Sequence, residues 1–253
     1  MKRQALQFDF EWRITLFTLL LFPLLLTLGF WQLERAEEKR GLAAMFAERE
    51  RQGAVDVSGL DSLDPQALAY LPVSARGEFL PERYFLLDNR TRNRRFGYEV
   101  LSPLRLAGSE QLLLVNRGWV EGDPARQSLP YVPQLQGEVE LTGHIYVPPG
   151  EAYLLAEQQL EAGWPKRLQA VDMALASEAL SGAPLFPYTL RINAGQPGAL
   201  AVSWQVINVS PEKHTGYAVQ WFSMAAVLLL LFVLRSSNIW QWLRGTQHKE
   251  MNS

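Results

Sequence analysis

No cysteine occurs anywhere in the 253 residues. That excludes disulfides, thiolate catalysis, iron–sulfur clusters and covalent haem attachment through a C-x-x-C-H segment. Histidine is nearly as scarce, with three residues, His144, His214 and His248. The recurrent catalytic signatures are missing too: there is no H-E-x-x-H, G-x-S-x-G, Walker loop or G-x-G-x-x-G. The net charge of −2 sets up no bulk field favouring nucleic acid or an acidic partner. An enzyme is not expected, and neither is a nucleic-acid partner.

What charge there is avoids two long runs. Ile14 to Leu33 is twenty residues without a charge, and Tyr217 to Leu234 is eighteen. At a rise of about 1.5 Å per residue, each is long enough to cross a bilayer core. The first run leads into Trp31-Gln32-Leu33-Glu34-Arg35, bulky and polar where a signal-peptide cleavage site needs small side chains, so an uncleaved anchor is expected. Asp9 and Glu11 in the tail before it argue against an organelle transit peptide and for a bacterial inner membrane. Lys2, Arg3 and Arg13 precede the first run, and Arg235, Arg244 and Lys249 follow the second, which predicts two cytoplasmic termini and a periplasmic middle. Trp12, Trp240 and Trp242 then belong to the inner interface, Trp31 and Trp221 to the outer one. The expected division is a tail 1–13, a span 14–33, a domain 34–210 whose first helix continues to about Arg51, a span 211–234 with an interfacial first turn, and a tail 235–253.

Between the spans, Val73 to Phe79, Tyr84 to Asp88, Tyr98 to Leu104, Gln111 to Val120, Val139 to Val147, Tyr188 to Ile192 and Ala201 to Asn208 read as strands. They are short, rich in β-branched and aromatic residues, and punctuated by Gly, Pro and Asn. Their spacing favours antiparallel hairpins, with one helix at about Leu168 to Leu180. Ala54 to Gly59 and Asp61 to Gln66 read as loop, and the proline-rich Gly122 to Gly137 as a connection or an exposed binding loop. The fold class is α+β: a mostly antiparallel β domain held between two transmembrane helices.

The densest positive charge, Arg90 to Arg95, falls in a turn and reads either as a solvated tip or as a contact for anions. His144 reads as a strand surface residue and His248 as solvated. His214 is different. Ser210, Pro211 and Glu212 mark a helix start and put it in the first turn of the second span, on one face with Tyr217 and Trp221. Its plain reading is an ordinary interfacial histidine. Its sharper reading is a metal ligand: Lys213, Arg35 and free helix amides for carboxylates above, and Trp31, Tyr217 and Trp221 as an apolar wall below, which together suit a haem at a membrane interface. A quinone fits less well, needing no metal ligand. Gln32 and Gln220 read as packing residues, and Ala218 and Ala225 as a face on which another helix can approach closely.

Trp31-Gln32 with Arg35 and Lys39, Gly97-Tyr98 with Pro103-Leu104, Leu114-Val115-Asn116-Arg117-Gly118-Trp119-Val120, Trp164-Pro165 with Asp172, and His214 with Tyr217-Ala218 and Gln220-Trp221-Phe222 follow in that order. This combination closely resembles the Surfeit locus protein 1 family from about residue 13 to 235, with Thr215 where an apolar residue is expected. The resemblance implies an accessory factor for biogenesis of haem-copper terminal oxidases, chiefly cytochrome c oxidase. In some bacterial members it implies binding of haem a through the histidine matching His214. The expected partners are then the oxidase catalytic subunit, haem a synthase and the lipid bilayer. His214 is the expected axial ligand to the haem iron, and Trp31, Tyr217 and Trp221 would shape the pocket. Arg35, Lys213 and Arg117 would meet the propionates, with pairing to an acid in its own domain an equal alternative for Arg117. The rival expectation is a scaffold that stabilises an oxidase assembly intermediate without touching haem.

Overall fold

A computed structural model describes residues 7–148, 150, 158, 160–204 and 210–239. Lys2, Arg3, Trp240, Trp242, Arg244, His248, Lys249 and the end of the strand expected to reach Asn208 lie outside the described residues. The chain separates into two units, residues 1–44 with 206–253, and residues 45–205.

The first unit is built on two helices, α1 (Trp12–Arg51), whose last turns belong to the second unit, and α4 (Pro211–Ser236). Both contain stretches long and apolar enough to span a membrane. α1 runs unbroken through Pro23, where Thr27 Oγ1 donates to the Pro23 carbonyl at 2.8 Å. The two helices pack antiparallel through small side chains. Ala36 on α1 and Ala218 and Ala225 on α4 are buried, as is Gly29. A Cβ on Gly29 would sit 2.6 Å from the Phe222 ring, so any larger residue must displace that ring. Elsewhere the large side chains, such as Leu20, Phe30, Leu230 and Leu231, face outward, as lipid-facing surfaces do. At one end the pair is tied by backbone: Asp9 N–H donates to Ser236 O at 2.8 Å, and Arg235 meets Glu11 at 3.3 Å.

The second unit contains β1 (Val55–Asp56), α2 (Pro65–Leu68), β2 (Pro72–Phe79), β3 (Phe85–Arg92), β4 (Arg95–Leu106), β5 (Leu112–Glu121), β6 (Glu138–Tyr146), β7 (Lys166–Leu168), α3 (Met173–Ala179) and β8 (Thr189–Ile192). The sheet order is β1-β2-β6-β8-β5-β4-β3-β7. A further pairing of Gly77–Phe79 in β2 with Leu104–Leu106 in β4 closes β2, β6, β8, β5 and β4 into a barrel. Pairing is antiparallel except for β1 with β2, β3 with β7 and β5 with β8. The barrel holds Val73, Ala75, Leu104, Leu113, Val115, Leu141, Ile145, Leu190 and Ile192, all fully buried. α3 covers a second cluster, Phe85, Leu87, Leu101, Leu114 and Leu168, on the other face. The mixed α+β class, with two apolar helices flanking a β unit, is the one the sequence suggests.

Three local expectations change. The helix expected from Leu168 begins only at Met173, because Asp172 caps it by accepting from Leu175 N–H at 3.0 Å. Lys166–Leu168 instead extends the sheet beside β3, burying Leu168. The strand expected from Ala201 is reduced, within the described residues, to a single bridge to Trp119. In the stretches read as loop, β1, a short 3-10 turn at Leu60–Ser62 and α2 form small caps, which bury Val57 and Leu68 in the barrel core.

Candidate functional site

The start of α4 and the middle of α1 meet at His214. Ser210 stands at the N-cap in extended conformation and Pro211 opens the helix, so the imidazole sits one turn in. The Nδ1–H of His214 donates to the carboxamide oxygen of Gln32 at 2.8 Å. In the neutral ring that leaves Nε2 with the lone pair a metal needs, and it fixes how the ring is turned. Gln32 is the residue that sequence reasoning left in the packing category. Its one signal was its place at the exit of the first span, level with His214.

Around the imidazole, Trp31 and Tyr217 are each about half exposed, at 47% and 50%, so both rings offer faces to an incoming molecule. Trp221 is half-buried, on the same face of α4 as His214. Arg35 lies 5.9 Å from the Trp31 ring centroid and pairs with Glu38 at 2.6 Å. That hydrogen bond and the Arg35 charge hold the Glu38 carboxyl below the usual range, with smaller pulls from Lys39 and His214. Glu38 is thus an anion already beside the site, one that spacing in the sequence did not single out. Lys213 is exposed. Thr215 is polar for a visible reason: its hydroxyl accepts from Arg40 Nη2 at 3.0 Å and donates to the Pro211 carbonyl at 3.1 Å. Arg40 also pairs with Glu37 at 3.0 Å, so a ladder of charge runs up α1 from the site.

Arg117 belongs to the other unit, and its donors are already engaged there. Only 3% exposed, it donates from Nε to Gly198 O at 2.8 Å and from Nη2 to Pro133 O at 2.9 Å, with Ser102 Oγ 3.4 Å from Nη1. Its partners are carbonyls and a hydroxyl rather than an acid. Burial pushes its pKa down, as expected of a guanidinium without a countercharge. The residues flanking it build the same knot. Asn116 donates to Glu99 at 2.7 Å and accepts from Gly118 N–H at 3.1 Å, while Trp119 Nε1 donates to Arg90 O at 2.8 Å. Gly118 has φ +106, which an L side chain rarely adopts, and a Cβ there would press on Ala201 O at 3.0 Å. His144 is half-buried rather than on the surface, with the Phe46 ring 5.4 Å away and its pKa lowered by burial.

Among known proteins, the sequence model of the SURF1 family matches residues 19–226. The chain is 26% identical over 222 residues to a SURF1-like protein of Monosiga brevicollis, covering 81% of each. It is 25% identical over 231 residues to Surfeit locus protein 1 of Gallus gallus, covering 85% of this chain and 72% of that one. It is 23% identical over 245 residues to a SURF1-like protein of Rickettsia felis, covering 90% and 98%. With a match that takes in the whole β unit and reaches into both apolar helices, His214 and Gln32 included, this chain belongs to the SURF1 family.

Proposed function

We propose that the protein assists assembly of a haem-copper terminal oxidase, cytochrome c oxidase in particular, and holds haem a on its way from haem a synthase to the oxidase catalytic subunit. Family membership supports the assembly role. The observation that carries the haem reading is the bond between His214 Nδ1 and Gln32, which orients the ring and, in the neutral imidazole, leaves the Nε2 lone pair for a metal. The donor set also fits. Among the described residues no three His, Asp or Glu side chains gather as a metal site, so a metal ligated by His214 must bring its remaining ligands, as a porphyrin does.

In this reading His214 would ligate the haem iron. Trp31, Tyr217 and Trp221 would contact the ring, and Lys213 and Arg35 would meet the propionates, Arg35 by giving up Glu38. Gln32 sets the orientation of the imidazole, Nε2 would hold the iron, and the aromatics would exclude water from one face. A single protein ligand suits a carrier, since release breaks one protein bond. The charge pattern of the two tails supports cytoplasmic termini and a periplasmic β unit in a bacterial inner membrane.

The test is the visible spectrum of protein purified from cells that make haem a. Wild type should carry haem; His214→Ala should lose it, and Gln32→Leu should bind about 10–100-fold more weakly. Wild type without haem, or His214→Ala binding as wild type does, overturns the haem reading. The scaffold reading has one observation in its favour. Leu129 and Tyr131 stand out from a loop anchored by buried Val132 and by the Arg117 bond to Pro133, an apolar pair offered to a protein partner.

A further inference from the structure

A second feature lies within the β unit and is independent of the helix-end histidine. Leu190 and Ile192 of β8 point into the barrel, so Arg191 points out. Register aligns Asn116 of β5 with Arg191 of β8 on one side and with Leu101 of β4 on the other. Asn116 also reaches Glu99 of β4 by a 2.7 Å hydrogen bond, and the charges of Glu99 and of Arg90 on β3 both act on Arg191, so Arg90, Glu99, Asn116 and Arg191 make a polar row on the outer face. Arg191 is clamped, its Cζ 3.4 Å from the Tyr146 ring centroid and 5.1 Å from that of Trp204, whose Nε1–H is tied to Ile192 O at 2.7 Å.

This row has too much positive charge for its surroundings. The Nε atoms of Arg191 and Arg90 are buried with no hydrogen-bond partner, and so is Nη1 of Arg92, two residues along β3. Glu99 is the carboxylate whose field reaches Arg191, but its Oε2 is taken by Asn116 at 2.7 Å. Among the described residues none of the three arginines is in an ion pair, whereas Arg51, Arg76, Arg95, Arg105, Arg126 and Arg167 of the same unit are. Burial and the nearby Arg90 charge both depress the Arg191 pKa. Three guanidiniums against one committed carboxylate leave two positive charges uncompensated on a partly desolvated face, a costly arrangement without an anion.

We propose that the row is a phosphate-binding site in which a phosphate group, free or on a lipid headgroup, bridges Arg90 and Arg191. Phosphate is favoured over a carboxylate by the charge count, since a dianion balances the excess and a carboxylate leaves half of it. The clamp on Arg191 holds its planar fork in one orientation, as bidentate contact to phosphate oxygens requires. Glu99, held back by Asn116, is a repulsive neighbour.

The experiment is isothermal titration calorimetry of the full chain in a non-ionic detergent, with inorganic phosphate and with a short-chain phosphatidic acid as separate probes. A saturable heat with at least one probe, weakened about 10–100-fold by Arg191→Gln and by Arg90→Gln, is the expected result. Binding of inorganic phosphate assigns the site to a free phosphate compound; binding of the lipid alone assigns it to a headgroup. No saturable heat from either probe, or variants that bind as wild type does, overturns the proposal. If Arg191→Gln loses its near-ultraviolet circular dichroism, Arg90→Gln decides alone.

Discussion

A carboxamide oxygen 2.8 Å from Nδ1 does two things to His214: it selects the tautomer and it stops the ring from rotating. Either effect alone would be minor; together they make a lone imidazole a directed donor. Arg117 is the contrasting case, a cation that the fold consumes. Its hydrogen bonds to Gly198 and Pro133 staple two irregular segments onto β5, and among the described residues no carboxylate forms an ion pair with it. Replacing it with methionine fills similar space but strands two carbonyls. Arg117→Met should therefore cost about 2–5 kcal/mol of stability, read from denaturant unfolding of the full chain in detergent. A cost within about 0.5 kcal/mol, the range of an ordinary surface substitution, would mean that water replaces the guanidinium without penalty. On residue type alone, Arg117 is a candidate either for a propionate, alongside Arg35, or for an acid in its own domain. Burial and its bonds to backbone carbonyls separate it from Arg35, and neither is visible in a sequence.

At the scale of elements, the α1–α4 seam shows how small residues position a functional pair. Gly29, Ala36, Ala218 and Ala225 bring the two backbones close, and the contact between Gln32 and His214 lies within that seam. Leucine at 29 cannot be accommodated without pushing the Phe222 ring aside, at a cost of about 1–3 kcal/mol. The cysteine-free chain makes a clean background for testing this. A short bis-maleimide should cross-link Gln32→Cys to His214→Cys within one chain, and Gly29→Leu should sharply reduce the yield. Undiminished cross-linking would show that the seam does not set the pair. In the β unit, strands with clear alternation, such as β2 and β6, sit where their patterns placed them. The sequence was less informative where local propensity competes with pairing. Lys166–Leu168 has helix-compatible residues, yet it joins the sheet because β3 offers unpaired backbone and a pocket for Leu168.

For the whole molecule, stability should depend on pH through His144. Its folded pKa lies below the usual histidine range because burial beside Phe46 disfavours the charged ring, opposed only in part by Glu50. A depressed folded value means the unfolded chain binds the proton first. The contribution is thus complete above the ordinary histidine pKa of about 6.5 and is lost as pH falls through the lower folded value. Outside the two spans, the carboxylates with resolved shifts, Glu38, Asp56 and Asp123, are all lowered and act at more acidic pH. Wild type should melt at a lower temperature at pH 5.5 than at pH 7.5, and His144→Gln should flatten that difference; an equally steep variant would clear His144 of the effect. By itself the sequence determined the two apolar helices, the α+β class and the family, because uncharged length, alternation and ordered motifs are properties of the chain taken locally. Only the tertiary structure decided that Gln32 orients His214, that Arg117 is spent on backbone carbonyls, that β2 and β4 close a barrel, and that Arg90 and Arg191 share one uncompensated face. Each of these joins residues far apart in the chain, and their contact depends on strand register and helix packing, which no local pattern encodes.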